Sequence, residues 1–149
     1  MKKKILAVAS GGGHWVQLLR LRPAFAAHEM VFVTVQKSYA SQVPGQRFYA
    51  VKDATRWSRW ALLWMMVQVC LVVLRERPDV VITTGAAPGV VALRMGKLLG
   101  AKTIWLDSIA NVEHMSMSGE RVRKFADLWL TQWEHLAGEQ GPSYFGGVL

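Results

Sequence analysis

The sequence predicts an α/β fold: a single Rossmann-like domain spanning residues 1–149, with a mainly parallel sheet of about six strands. Three observations predict it. Short runs rich in β-branched residues alternate with longer apolar stretches of helical length. The first strand run, Lys4 to Ala9, is continuously apolar, as expected of a strand covered on both faces. Small-residue turns follow the first and fourth runs, where a βαβ unit places its strand-to-helix loops. At 149 residues and 52% hydrophobic, the chain suffices for one packed core and is too short for two ordinary domains.

Lys4 to Ala9 is predicted as the first strand, and Ser10-Gly11-Gly12-Gly13 as a turn. His14 to about Ala27 reads as a helix that Pro23 kinks or stops early. Met30 to Val35 is the second strand, Gln36 to Gln46 a surface loop with a Pro44-Gly45 turn, and Arg47 to Val51 a weak third strand. Trp57 to Arg77 is a long helix, ended by Pro78 because the residue before proline avoids the helical region. Val80 to Thr83 is the fourth strand, Thr84 to Pro88 a tight loop, and Gly89 to Leu99 a helix closed by Gly100. Lys102 to Leu106 and Asp127 to Thr131 are the fifth and sixth strands, with an irregular loop and a short helix over Gly119 to Phe125 between them. The tail, 132–149, has no period.

Composition narrows the function. Eighteen Lys and Arg against ten Asp and Glu give a formal charge of +8, which suits a phosphate-rich or membrane-surface partner. No alternating basic and aromatic stripe marks a nucleic-acid groove, so no nucleic acid is expected. One cysteine, Cys70, excludes an internal disulfide and a cysteine-rich zinc site. Glu113-His114 and Glu134-His135 are too sparse for a metal site, and none is expected. The run Ile5 to Ala9 is too short for a signal peptide. Trp60 to Leu74 is apolar but for Gln68, yet falls short of a spanning helix. Trp57, Arg59, Trp60 and Trp64 place aromatics beside a cation, as at a membrane interface. A helix apolar all round on a small domain also needs a second covering surface.

Ligands of open α/β sheets lie beyond the carboxyl ends of the strands. There, Ser10, Gly11, Gly12 and Gly13 would let backbone N–H groups reach an anion at a helix N-terminus. A tight turn alone needs one or two such glycines, not three. The dinucleotide fingerprint fails, since Val16 stands where its third glycine belongs. A second loop, Gly85, Ala86, Pro88 and Gly89, would flank the same crevice. Asp107 and Ser108 end the fifth strand beside it. His14 and Asp107 are the candidates for proton transfer, Asp107 being equally readable as a helix cap. Tyr144, Phe145, Val148 and Leu149 form an apolar end to the tail that suits a partner interface.

Four segments together resemble one family: Ala9 to His14, Gly85 to Gly89, Lys97 to Ser108, and Ala126 to Glu134. It is the membrane-associated acceptor-side subunit of split GT-B glycosyltransferases. That family includes the accessory subunit of the asparagine-linked-glycosylation GlcNAc-transferase and bacterial exopolysaccharide and capsule proteins. The resemblance implies a domain equivalent to the N-terminal half of a GT-B enzyme. The glycine loops would then face the diphosphate of a polyprenyl-diphosphate-linked glycan acceptor. The UDP-sugar would sit mainly on a donor-binding partner subunit, with no cofactor on this chain alone and no activity without the partner. Attachment would be peripheral, at the cytoplasmic face of the cell membrane. The family usually carries Glu at the Asp107 position. A different expectation is a non-catalytic membrane scaffold that recruits and activates the catalytic subunit.

Overall fold

The computed structural model describes residues 1–54 and 57–148. Leu149, one of the tail residues expected to bind a partner, and Arg56, beside the tryptophans, lie outside the described residues. Seven strands form one parallel sheet: β1 (Lys4–Val8), β2 (Glu29–Thr34), β3 (Arg47–Ala50), β4 (Val80–Thr83), β5 (Lys102–Leu106), β6 (Leu128–Thr131) and β7 (Ser143–Tyr144). Their order is β3-β2-β1-β4-β5-β6-β7. The chain works outward from β1 in one direction and from β4 in the other, so the topological switch falls between β1 and β4.

Side chains alternate across the sheet with period two. Leu6 and Val8 of β1 join Val31, Val33 and Val81 on one face. Against them pack α2 (Arg59–Glu76), through Met65, Val69, Val72 and Val73, and α3 (Ala86–Leu98), through Ala92 and Leu93. Ile5 and Ala7 point the other way, to Trp15 and Leu18 of α1 (Gly13–Arg20), with Phe32 and Ile82 alongside. A short helix, α4 (Met117–Val122), follows β5. Burial on both faces explains the unbroken apolar strands.

The structure differs from the sequence expectation at four places. First, α1 stops at Arg20 and a 3-10 turn, Arg22–Phe25, replaces its predicted second half around Pro23. Second, the polar loop after β2 holds a 3-10 turn, Lys37–Gln42. Third, α3 starts at Ala86 instead of Gly89, because a proline in the first helical turn costs no hydrogen bond. Fourth, the sheet has seven strands instead of six. The tail has an element of its own, β7, which pairs Leu130 with Ser143 and Thr131 with Tyr144.

Glycines let α3 lie flush on the sheet. A Cβ at Gly89 would stand 2.1 Å from Thr83 Oγ1, and one at Gly96 2.5 Å from Val81 Cγ2. The buried Gly89, expected at the anion loop, is therefore a packing residue.

Candidate functional site

At the switch point the loops after β1 and β4 lie side by side and carry the starts of α1 and α3. The helix caps fall into two kinds. Ser58 caps α2 and Ser116 caps α4, each accepting a backbone N–H with its side chain. Gly12 and Gly85, at the caps of α1 and α3, supply no side-chain acceptor. The first turns of these two helices therefore have no side-chain cap and lie beside two positive dipole ends, while the buried Gly85 donates its own N–H to Thr83 Oγ1 at 3.2 Å. Gly12 has φ +68° and Gly85 φ +136°, conformations that side chains rarely adopt. Ala86 holds φ +70° without that freedom, a strained position at the loop.

His14 locks the two loops together. Its Nδ1 lies 3.0 Å from the Thr84 carbonyl oxygen, and the Thr84 hydroxyl donates to the His14 carbonyl at 2.6 Å. A carbonyl only accepts, so Nδ1 carries the hydrogen, and in the neutral ring Nε2 keeps the lone pair. The ring stacks under Gly85, where a Cβ would come within 2.6 Å of Nδ1. On the other side Gly12 N–H donates to the Tyr39 hydroxyl at 3.1 Å. Gly12 and Gly13 are exposed, while Ser10, Gly11, His14 and Ala86 are half-exposed.

Asp107 is different. It is 2% exposed, and its carboxylate has four donors. Oδ1 accepts from Trp105 Nε1 at 3.0 Å and Ser116 Oγ at 2.6 Å; Oδ2 accepts from Asn111 Nδ2 at 3.1 Å and Ser116 N at 2.8 Å. The carboxylate is spent on holding the loop 108–116, and it offers no free lone pair to a substrate hydroxyl. Ser108, also buried, accepts from Gln17 Nε2 at 3.3 Å and Ala110 N at 3.2 Å. Pro88 is buried in the first turn of α3. The structure thus gathers His14, Gly12, Gly13, Gly85 and Ala86 at the crevice, and puts Asp107, Ser108, Pro88 and Gly89 in the framework behind it.

Sequence reasoning passed over two kinds of residue here. Thr84 and Tyr39 brace the glycine loop, and Thr84 was signalled only by its place directly after a strand. Gln17 and Gln132 form a buried hub. Both side chains bond one another, Gln17 Oε1 accepts from Ile109 N at 3.2 Å, and Gln132 Nε2 donates to the Asp107 carbonyl at 2.9 Å. A lone glutamine among the apolar residues of α1 was the available signal. The hub reaches the tail: Val148 N–H donates to Gln132 Oε1 at 2.7 Å, and Arg20 donates to the Val148 carbonyl at 3.3 Å. Phe145 beside it is 81% exposed.

The tryptophans expected at a membrane stand out from α2 and its approach, Trp57 87%, Trp60 82% and Trp64 55% exposed. Arg59 opens the helix and is also exposed. Among the described residues no helix is long and apolar enough to cross a membrane, and no cluster of His, Cys, Asp and Glu could hold a metal.

Solved structures first define the class. The chain superposes on MurG of Acinetobacter baumannii with a TM-score of 0.77 at 11% identity, covering 97% of this chain and 46% of that one. UDP-N-acetylglucosamine 2-epimerase of Rickettsia bellii follows at 0.69 and 13% identity, over 91% and 40%. The fold is that of the Rossmann-like N-terminal domain of GT-B proteins. The family model described as oligosaccharide biosynthesis protein, Alg14 like, matches residues 24–149, and the chain belongs to that family. Its relatives include UDP-N-acetylglucosamine transferase subunits. The mouse subunit is 26% identical over 98% of this chain and 82% of its own length. The Schizosaccharomyces pombe subunit is 27% identical over 76% and 57%, and that of Candida albicans 26% over 78% and 48%. The chain spans about half the length of these two fungal proteins.

Proposed function

We propose that this chain is the acceptor-binding subunit of a two-component UDP-sugar glycosyltransferase, acting on a polyprenyl-diphosphate-linked glycan at the cytoplasmic face of the membrane. One observation carries the reading: two adjacent helix N-termini, capped by glycines without side-chain acceptors, are latched together by His14. Such a pair of donors suits a diphosphate. The relatives are described as UDP-N-acetylglucosamine transferase subunits, which supports that sugar nucleotide as donor; in this reading a partner subunit holds it. The setting is polysaccharide assembly, as exopolysaccharide or capsule.

The chemistry follows from the geometry. The glycine loops hold the acceptor diphosphate, so that the acceptor hydroxyl stands in line with the anomeric carbon of the partner-bound sugar. His14 Nε2 takes the hydroxyl proton as the new glycosidic bond forms, and UDP leaves on the partner with the bonding electron pair. The Thr84 carbonyl fixes the ring and its tautomer. Inversion results from this single in-line displacement.

The exposed α2 face favours a second reading, a scaffold that only brings the catalytic subunit to the membrane. His14→Gln, assayed with the partner present, separates the two. Loss of about 10²–10⁴ in kcat with complex formation intact supports a proton-transfer role. Unchanged kcat supports the scaffold.

A further inference from the structure

A cavity of about 530 Å³ opens beside the glycine loop at the carboxyl ends of β2 and β3. Val35, Gln36, Lys37, Lys52, Asp53 and Trp64 line it. Two of these border the loop: a Cβ at Gly11 would lie 3.5 Å from Gln36 Cγ and 3.7 Å from Val35 Cγ2. Lys37 and Lys52 make no ion pair among the described residues. With Asp53 they leave the cavity a net positive charge. Lys52 is fixed through its backbone N–H, which donates to Gln68 Oε1 at 2.7 Å. Trp64 forms the outer wall and belongs at the same time to the exposed apolar face of α2.

The cavity therefore joins three surfaces in order: an anion loop, a pair of lysines, and an apolar helix face. That order matches a phosphate-headed amphiphile. We infer that the lysine cavity holds the lipid-proximal phosphate of a diphosphate carried on an isoprenoid-type chain, and that the chain leaves the site across Trp64 onto the α2 face. This rests on the acceptor reading above and adds the place of the second phosphate and the path of the tail. Lysines at the open side suit a phosphate as point charges, free to follow a headgroup. The uncapped helix starts would take the phosphate nearer the glycan.

Titration calorimetry of the full chain with farnesyl diphosphate and with inorganic pyrophosphate tests it. Lys37→Gln/Lys52→Gln should weaken both ligands by about tenfold or more, each charge-assisted hydrogen bond being worth roughly that factor. Trp64→Ala should weaken farnesyl diphosphate several-fold and leave pyrophosphate unchanged. Both positions are exposed, and matching thermal melts confirm folding. Wild-type affinity in the lysine variant, with binding lost in Gly12→Val, overturns this inference and leaves the acceptor reading standing. Failure of the wild type to bind farnesyl diphosphate overturns both. Lysine-dependent binding to phosphatidylglycerol vesicles without binding of farnesyl diphosphate assigns the cavity to bilayer headgroups and overturns it too. If Trp64→Ala weakens neither ligand, the path of the chain is overturned.

Discussion

The imidazole of His14 stands beyond β1 and the carboxylate of Asp107 beyond β5, with β4 between them, and their hydrogen bonds differ. Each Asp107 oxygen already accepts two hydrogen bonds, and Ser116 gives both its N–H and its hydroxyl to it. A base must have a lone pair facing its proton. In the proposed reaction that lone pair belongs to His14 Nε2, since the Asp107 oxygens are already taken. The shorter side chain of Asp107, set against the glutamate of the resemblance, is suited to the close grip on Ser116. Asp107→Asn turns an amide group toward Trp105 Nε1–H or Ser116 N–H, which can only donate, so a buried donor loses its acceptor. The expected cost is about 2–3 kcal/mol, read as a lower urea midpoint with faster hydrogen exchange at Ser116. Wild-type stability combined with lost transferase activity would instead return the carboxylate to the reaction.

Between elements, side-chain bridges fix ends that the backbone leaves loose. Asp127, just before β6, accepts from Lys97 in the last turn of α3 at 2.5 Å and from Thr103 N at the start of β5 at 2.9 Å. The Lys97 hydrogen bond is the main reason its carboxyl is held below the usual carboxylate range, with Thr103 adding to it. A depressed folded-state pKa stabilises the fold above the unfolded value and stops doing so as pH falls through the folded one. Asp127→Asn should therefore lower Tm near neutral pH, and its gap from the wild type should close in acid. Equal gaps at both ends of a pH series of melts would deny Asp127 this role. Elements of this sheet were legible wherever local pattern decides them. β1, β2 and β4 show as apolar runs because both faces are covered, whereas β3 at the sheet edge reads only weakly. The start of α3 was misplaced because Pro88 reads as a breaker until its place in a first turn is known. Two-residue β7 has no period, and only pairing with β6 creates it. The glycine loops and His14 were legible because turn chemistry is local, whereas the Asp107 grip depends on how residues 108–116 fold back. The tail shows the same dependence. Deleting Phe145 to Leu149 removes the Val148 bond to Gln132 and the Arg20 bond to Val148. A loss of about 1–2 kcal/mol in a still folded domain is expected, together with loss of co-purification with the donor-binding partner through the exposed Phe145. A truncated chain that still co-purifies would exclude the tail from that interface.

Across the whole molecule, the sheet order restricts what α2 can do. The helix leaves β3 and returns to β4, two strands of one sheet. Spanning a bilayer would separate these strands and break the sheet, so any membrane contact of α2 has to run along its exposed side. One side of it, Met65, Val69, Val72 and Val73, is spent on the core. The other carries Trp60, Trp64, Val67, Leu71 and Leu74, all exposed and spaced at about one helical turn. From Trp60 to Leu74 this stripe runs about 21 Å at the helical rise of 1.5 Å per residue. An exposed stripe of that length on a chain of charge +8 fits a helix lying in the headgroup region of an anionic bilayer. Buried area and charge should then contribute separately. In flotation with phosphatidylglycerol vesicles the wild type should rise at low salt and only partly dissociate in about 1 M salt, where screening leaves a Debye length of about 3 Å. Trp60→Glu/Leu71→Glu should abolish flotation at both salt levels with the fold intact, since neither residue touches the core. Flotation that survives the double variant but vanishes in salt would make the attraction purely electrostatic and remove α2 from the membrane contact.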